Sequence, residues 1–340
     1  MKKPLVVSSN DWHIRDDNVN QIIDLFRQQC QLAESLDVSF VACLGDVFNS
    51  RKSQTLLVLN TFTKILNIAD EYHLTLICFP GNHDKTCYES RESFLDQFRW
   101  HPNLALFTDY GNIELDGVRF HFMPFFSENM WMDEFKNVEF IKGEQNILLS
   151  HIAVTGSRNN DGAKVESPIT PSMFRKFDIV GLGHYHNYQS IGSNIFHFPS
   201  IRQNNYGEDT NKGFTVIYDD CTFDLKPSTF KRYEVVDIDL NETSKKQISE
   251  LINTYSDKLD GSYVRFRLTG TEDKLKAFDK ESIKLIGIDV KTVNKEIDSI
   301  EDFDSVEVKR YTNESIMSEF KNFCEEYEKD YEAGLKYLVL

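Results

Sequence analysis

Gly81-Asn82-His83-Asp84 follows the apolar run Leu74–Phe79 after a single proline. A short apolar run that ends at proline and glycine is typical of a buried strand. The glycine lets the chain turn sharply where the strand ends. In open α/β sheets, ligands bind in the crevice at the carboxyl ends of the strands. The stretch therefore predicts a buried strand that delivers polar side chains to a site.

Four further motifs have the same setting, each directly after or near the end of an apolar run. They are Asp11-Trp12-His13, Gly45-Asp46, Ser150-His151 and Gly183-His184-Tyr185-His186. Because strand ends of one sheet meet at one edge, we expect Asp11, Asp46, Asn82 and up to five histidines to converge. One such motif alone means little, whereas five in succession indicate a metal site.

The donor types suit a particular class of ion. Imidazole nitrogens combined with carboxylate and amide oxygens favour Mn²⁺, Fe²⁺ or Zn²⁺ over Mg²⁺ or Ca²⁺. One aspartate can bridge two ions that lie about 3.5–4 Å apart. Two divalent ions bring four positive charges, of which Asp11 and Asp46 offset two. The remaining positive charge suits a bridging hydroxide and an anionic phosphodiester, so we predict phosphoester hydrolysis.

Composition limits where and how such an enzyme works. The 340-residue chain carries a net charge of −16, which excludes DNA binding through a broad basic face. Contact with DNA would need a local patch, metal ions or a partner. The six cysteines are scattered without a C-x-x-C pair, which fits reduced thiols. No apolar run approaches the roughly 20 residues of a membrane span, and no signal peptide is evident, so we expect a cytoplasmic protein.

The pattern along the chain predicts a large domain, a small one and a tail. Residues 1–233 alternate apolar strands with amphipathic helices, including helices over Val19–Leu36 and Ser90–Phe98, and favour a layered α/β sandwich. Residues 234–296 are typical of a small α+β unit. Residues 297–340 are predicted to form an acid-rich linker and a helix whose apolar stripe spans Ile316–Leu338. That stripe predicts packing on its own domain or docking to a partner, with equal weight.

The motif order D-x-H, G-D, G-N-H-D, H, G-H-x-H resembles the calcineurin-like metallophosphoesterase superfamily. Within it, the chain is similar to SbcD-type nuclease subunits of double-strand-break repair, including short forms from large bacteriophages. The resemblance implies a four-layer α/β/β/α sandwich over 1–233, an α+β capping domain over 234–296 and a C-terminal partner-binding helix. If the gene is viral, the compartment would be the cytoplasm of a bacterial host.

The resemblance also implies a role for each motif residue. Asp11, His13 and His186 would hold one ion, and Asn82, His151 and His184 the other, with Asp46 as the bridge and Mn²⁺ as the metal. His83 would assist the leaving oxygen, and Asp84 would orient its ring. Asn49 is a departure, because some relatives carry a second catalytic histidine three residues after the bridging aspartate.

The implied function is an Mn²⁺-dependent DNA exo/endonuclease. Since no G-x-x-x-x-G-K-[ST] loop occurs, the resemblance assigns ATP hydrolysis to a separate SbcC-type ABC ATPase with coiled coils. It also implies a homodimer within a heterotetramer, to which Leu56, Leu57, Leu59 and Phe62 would contribute, unless they belong to the core. Arg15, Arg51, Lys52 and the loop Val154–Ser167 would meet DNA phosphates, or are solvated loop residues. The alternatives are a phosphomonoesterase or cyclic-nucleotide phosphodiesterase with the same metals, and a non-catalytic scaffold.

Overall fold

The structure is a computed structural model that describes residues 2–294 and Lys321. The predicted acidic linker and docking helix over 297–340 lie outside the described residues except for Lys321, and they stay predictions. Within the described part of the chain, no helix combines the length and the apolar character that a bilayer crossing requires.

The described chain contains fifteen strands and six α-helices. The strands are β1 (Pro4–Ser9), β2 (Phe40–Cys43), β3 (Thr75–Cys78), β4 (Leu104–Leu106), β5 (Gly111–Leu115), β6 (Val118–Met123), β7 (Gln145–Ser150), β8 (Ile179–Leu182), β9 (Gln189–Ile191), β10 (Ile195–His197), β11 (Gly213–Tyr218), β12 (Phe223–Pro227), β13 (Arg232–Asp239), β14 (Ser262–Gly270) and β15 (Asp289–Asn294). The helices are α1 (Val19–Ser35), α2 (Leu56–Glu71), α3 (Glu128–Phe135), α4 (Lys245–Ser256), α5 (Glu272–Ala277) and α6 (Lys280–Leu285).

Two six-stranded sheets form the large domain, in the orders β12-β11-β1-β2-β3-β4 and β5-β6-β7-β8-β10-β9. In the first sheet β1 to β4 are parallel, β11 is antiparallel to β1, and β12 is antiparallel to β11. In the second sheet β6, β7, β8 and β10 are parallel, and antiparallel strands close both edges. The carboxyl ends of the central strands therefore gather at one edge of each sheet.

Alternating side chains along each strand divide the core into layers. Val7 and Val41 pack beneath α1 and α2, whereas their neighbours Val6 and Ala42 pack between the two sheets. This follows because successive side chains along a β-strand point to opposite faces of the sheet. Trp131 of α3 packs on the outer face of the second sheet. The layers are helices, sheet, sheet and helix, so the predicted four-layer α/β/β/α sandwich is confirmed.

The small unit after the sandwich has a core of its own. Its strands β13, β14 and β15 are all parallel, and α4, α5 and α6 provide the connections between them. Phe266 and Leu268 are fully buried in this core. A boundary after residue 233 would fall inside β13, which begins at Arg232. We therefore propose a boundary in the connection between β12 and β13.

The helix predicted over Ser90–Phe98 is wrong, because only Asp96–Phe98 is helical and forms a single 3₁₀ turn. The Asp96 carboxylate accepts the Ser93 N–H at 2.7 Å, and the Ser90 hydroxyl accepts the Glu92 N–H at 3.0 Å. These short-range bonds offer the backbone an alternative to helical hydrogen bonds.

Candidate metal centre

Five loops at the carboxyl ends of β1, β2, β3, β7 and β8 deliver every residue that the motifs predicted for the site. Their side chains meet where the edges of the two sheets face each other. The loops are joined through their backbones, because the Asp11 N–H donates to Gly45 O at 3.1 Å and the His13 N–H donates to Asp46 O at 3.0 Å. The arrangement is therefore part of the fold itself.

The first cluster consists of Asp11, His13 and His186. His186 Nε2 lies 3.2 Å from His13 Nε2 and 3.8 Å from Asp11 Oδ1, and His13 Nε2 lies 4.0 Å from the same oxygen. Among the described residues, buried Asp11 Oδ1 has no hydrogen-bond partner. A buried carboxylate oxygen without a partner is costly unless a cation faces it. This cluster therefore fits one divalent ion.

The second cluster consists of Asn82, His151 and His184. Asn82 Oδ1 lies 3.2 Å from His151 Nε2 and 2.9 Å from His184 Nδ1. His151 donates its Nδ1–H to Leu44 O at 2.7 Å, which leaves its Nε2 facing the centre. An amide oxygen beside imidazole nitrogens is a donor set that first-row divalent ions accept.

Asp46 lies between the two clusters. Its Oδ2 is 3.6 Å from His13 Nε2, and its Oδ1 is 3.4 Å from His151 Nε2. Burial opposes ionisation, but His151 and His13 hold the pKa of the Asp46 carboxyl well below its usual range. Burial likewise opposes the charged form of His151, yet Asp46 raises the pKa of that imidazole to about 9. Asp46 is thus a carboxylate with one oxygen for each cluster, the geometry that a bridging ligand requires.

The backbone is strained at these positions. Asp11, His13, Asp46 and His184 adopt positive φ angles of 53°, 46°, 54° and 84°. Such left-handed conformations cost on the order of 1–3 kcal/mol each for residues other than glycine, and they persist where the surroundings impose them. The backbone bonds between the loops supply that constraint.

The family profile described as calcineurin-like phosphoesterase matches residues 6–188, which is more than half of the chain. The chain belongs to this family. It is therefore a metal-dependent phosphoesterase, and its centre holds divalent metal ions. The match covers all five motifs and ends before the small unit.

Two curated relatives extend the similarity over nearly the whole chain. The SbcD component of the nuclease SbcCD from Staphylococcus epidermidis is 25% identical and covers 95% of this chain and 94% of its own length. "Exonuclease subunit 1" of Enterobacteria phage T4 is 23% identical and covers 98% of this chain and 96% of its own. These relatives confirm the resemblance of this phosphoesterase to SbcD-type nucleases.

The glycines of three motifs allow close approach as well as sharp turns. A Cβ on Gly81 would overlap Asp46 Oδ1, one on Gly45 would lie 2.6 Å from His151 Nδ1, and one on Gly183 would lie 2.6 Å from Leu44 O. Contacts this short cannot be accommodated without moving the ligands. The glycines therefore hold the loops of the phosphoesterase at the distance that the two clusters need.

Gly81→Ala is expected to displace the Asp46 carboxylate and to weaken metal binding by about 10–100-fold, the range found when ligand support is lost. Titration calorimetry with Mn²⁺ measures this effect. Gly261→Ala is the matched control, because its Cβ would meet nothing closer than Lys258 O at 3.9 Å. Equal Mn²⁺ affinity of the two variants would contradict the steric argument.

His83 and Asp84 differ from expectation in one respect. His83 donates its Nδ1–H to the Asn49 carbonyl at 2.6 Å, so a backbone oxygen rather than Asp84 orients the ring. Asp84 instead accepts the N–H groups of Val47, Phe48 and Gly81 at 3.2, 2.8 and 2.8 Å. Burial and Asp46 raise the pKa of Asp84 to about 7. Asp84 thus ties two loops of the site together, and its expected role as orienting partner of His83 is corrected.

Asp84→Ala is expected to lower the free energy of unfolding by about 3 kcal/mol or more, since three buried N–H groups would each lose an acceptor at about 1–3 kcal/mol. Urea denaturation in the presence of a chelator measures this loss. Asp178→Ala removes an acceptor from a single N–H group, that of Asn146 at 2.7 Å, and should cost less. A loss for Asp84→Ala no larger than for Asp178→Ala would refute the role.

An open cleft of about 410 Å³ leads to the centre. Arg15 and Arg51 line it together with His83 and the loop residues Asn159 and Asn160. Arg15, Arg51 and the loop Val154–Ser167 were expected either to meet phosphates or to be solvated, and the structure brings both arginines and the two loop asparagines to the cleft. Lys52 is exposed and is not among the lining residues.

Glu208 is a site residue that the motifs did not indicate. Its Oε1 lies 2.7 Å from His186 Nδ1, and the residue is only 6% exposed. It lies in a polar segment without apolar periodicity, so no local pattern pointed to it. His121 and His197 lie outside the motifs and are buried, with hydrogen bonds to Asn146 and to Gly183 O respectively.

Proposed function

We propose that this phosphoesterase is an Mn²⁺-dependent DNA exo/endonuclease and the nuclease subunit of a complex with an SbcC-type ABC ATPase. The observation that carries the proposal is the position of Asp46, whose two oxygens face separate clusters at 3.6 and 3.4 Å. Two ions bridged by one carboxylate form the kind of centre that cleaves phosphodiesters.

The proposed ligands follow the clusters. One ion would be held by Asp11, His13 and His186, the other by Asn82, His151 and His184, with Asp46 shared between them. When bound, the ions would polarise the phosphoryl oxygens and lower the pKa of an attacking water molecule towards neutrality. Mn²⁺ fits a mixed set of imidazole nitrogens and oxygens, and the polar cleft leaves room for a phosphate beside it.

His83 is proposed as the residue that assists the leaving oxygen. The Asn49 carbonyl fixes its Nδ1–H, and its ring lies across the edge of the His13 ring with 4.8 Å between centroids. Its Nε2 is then free for the substrate in the cleft that it lines. The imidazole can stabilise or protonate the departing oxygen from there. Asn49 thus supports His83 through its backbone, whatever its side chain contributes.

Three observations support DNA as the substrate. Both relatives are named as parts of a nuclease or an exonuclease, and they align over nearly their full length. The arginines in the cleft, Arg15 and Arg51, can meet phosphates on either side of the cleaved bond. A chain of net charge −16 is not expected to bind DNA through a broad basic surface. This is consistent with a subunit that depends on its partner for part of its DNA binding.

We also propose a homodimer through the start of α2. Leu56 and Leu57 are 72% and 45% exposed, whereas Phe62 is fully buried in the core. The apolar segment considered from the sequence therefore divides into an exposed pair, which supports an interface, and a core residue, which does not. Equilibrium sedimentation of Leu56→Glu against the original protein tests this surface.

The decisive experiment is cleavage of end-labelled duplex DNA with Mn²⁺, with and without the candidate ATPase. Mn²⁺-dependent degradation supports the proposal, and replacing Mn²⁺ by Zn²⁺ or Mg²⁺ tests the metal assignment. Efficient turnover of a phosphomonoester without action on DNA, even alongside the ATPase, would overturn it in favour of a phosphatase.

A further inference from the structure

Glu208 lies in the connection between β10 and β11, twenty residues beyond the end of the family match at residue 188. The side chain is 1% exposed, and Oε1 is 2.7 Å from His186 Nδ1. The opposite ring nitrogen, His186 Nε2, faces Asp11 Oδ1 at 3.8 Å and His13 Nε2 at 3.2 Å. One imidazole thus connects a buried carboxylate to the first cluster.

This contact determines which nitrogen of His186 carries the proton. A carboxylate oxygen can only accept, so His186 donates its Nδ1–H to Glu208, and the lone pair of Nε2 remains directed at the cluster. Among the histidines proposed as ligands, His151 uses a backbone carbonyl for the same purpose. Among the described residues, His186 is the one proposed ligand whose ring nitrogen away from the cluster donates to a carboxylate, and such a carboxylate also raises the basicity of the imidazole.

Glu208 is itself held on several sides. It accepts the Asn204 N–H at 3.1 Å through Oε2 and the Asn205 side-chain amide at 2.9 Å through Oε1. Lys212, also buried, places Nζ 3.3 Å from Glu208 Oε2 and donates to His186 O at 2.7 Å. Lys212 therefore offsets the charge of the Glu208 carboxylate and also holds the backbone of His186 in place.

The connection is also tied to the small unit. Gln203 donates its side-chain amide to Glu208 O at 2.9 Å, and its Oε1 accepts the Tyr233 N–H at 2.9 Å. Tyr233 belongs to β13, the first strand of the small unit. The segment around Glu208 is thus fixed at one end by the metal cluster and at the other by β13.

We propose that Glu208 is a positioning residue for the ion held by Asp11, His13 and His186, acting through the tautomer and orientation of His186. The proposal rests on the metal assignment made above and extends it to a residue outside the family match. Loss of such a partner typically weakens metal affinity by about 10–100-fold.

The test uses Mn²⁺ as the probe and the full chain. In Glu208→Ala, equilibrium dialysis should show one of two Mn²⁺ ions bound about 10–100-fold more weakly and the other unchanged. At limiting Mn²⁺, electron paramagnetic resonance should show isolated Mn²⁺ in place of the coupled pair. Glu208→Gln should lose less affinity than Glu208→Ala, because its amide oxygen can still accept the Nδ1–H.

Glu134→Ala is the matched control. Glu134 is also 6% exposed, and it accepts the Tyr110 N–H at 3.0 Å and Arg91 Nη2 at 2.9 Å without contact to a proposed ligand. It should lose stability but bind both ions as the original protein does. Glu208→Ala with two ions at unchanged affinity, or with a loss no different from Glu134→Ala, would overturn the positioning role. Failure of the original protein to bind two ions would overturn the proposed metal assignment itself.

Discussion

Asp46→Ala is expected to abolish binding of both metal ions and to lower Mn²⁺-dependent DNA cleavage by about 10³-fold or more. The carboxylate faces both clusters, so its removal deprives each of the shared oxygen donor and of the charge that attracts the cations. Loss of several kcal/mol of transition-state stabilisation corresponds to a factor of about 10³ in rate. Atomic emission analysis of dialysed protein and the duplex cleavage assay measure the two effects.

The matched control for Asp46→Ala lies at the amino end of β8 in the second sheet. Asp46 accepts the His83 N–H at 2.8 Å, and Asp178 likewise accepts the Asn146 N–H at 2.7 Å. Asp178, however, precedes β8 and so is remote from the strand ends that form the centre. Asp178→Ala should keep two ions and normal cleavage. Two ions retained by Asp46→Ala would eliminate the bridging assignment.

His83→Ala is expected to lower cleavage by about 10²–10⁴-fold while both ions remain bound. His83 has its Nδ1 on the Asn49 carbonyl, and neither cluster needs it to complete its donor set. Single-turnover cleavage at saturating Mn²⁺ measures the chemical step, and dialysis measures the ions. His101→Ala, at a loop histidine beside Asn103, is the control and should be silent in both measurements.

His83→Ala also separates two interpretations of the site. His13, Asp46 and His83 each offer a ligand atom, and those atoms lie within 4.8 Å of one another, so His83 is close enough to ligate. Loss of one ion from His83→Ala would make it a ligand and would refute its role in assisting the leaving group.

The sequence predicted the sandwich and the convergence of the motifs because both follow from local rules. Apolar runs such as Ile179–Leu182 match their strands, and polar residues after parallel strands must meet at one edge. The short edge strands β4 and β9, each of three residues, carry too little pattern to be recognised. Helix α3 was not predicted for a similar reason, because its eight residues span only about two turns.

The supporting contacts of the site could not be predicted in the same way. The Asn49 carbonyl that orients His83 is a backbone atom, and every residue has one, so no side-chain pattern identifies it. Glu208 reaches His186 from a segment whose path is set by tertiary packing. For Asp84, the sequence indicated the site but not the partners, because its three N–H donors come from two different loops.

The backbone hydrogen bonds from Asp11 to Gly45 and from His13 to Asp46 affect how metal ions enter the site. Because peptide groups fix these loops to each other, the coordination pocket is preorganised by the polypeptide, and cations enter a receptor that already has its shape. We therefore expect the chain to fold without the cations, unlike a zinc finger. We also expect one metal to exchange for another without unfolding of the protein.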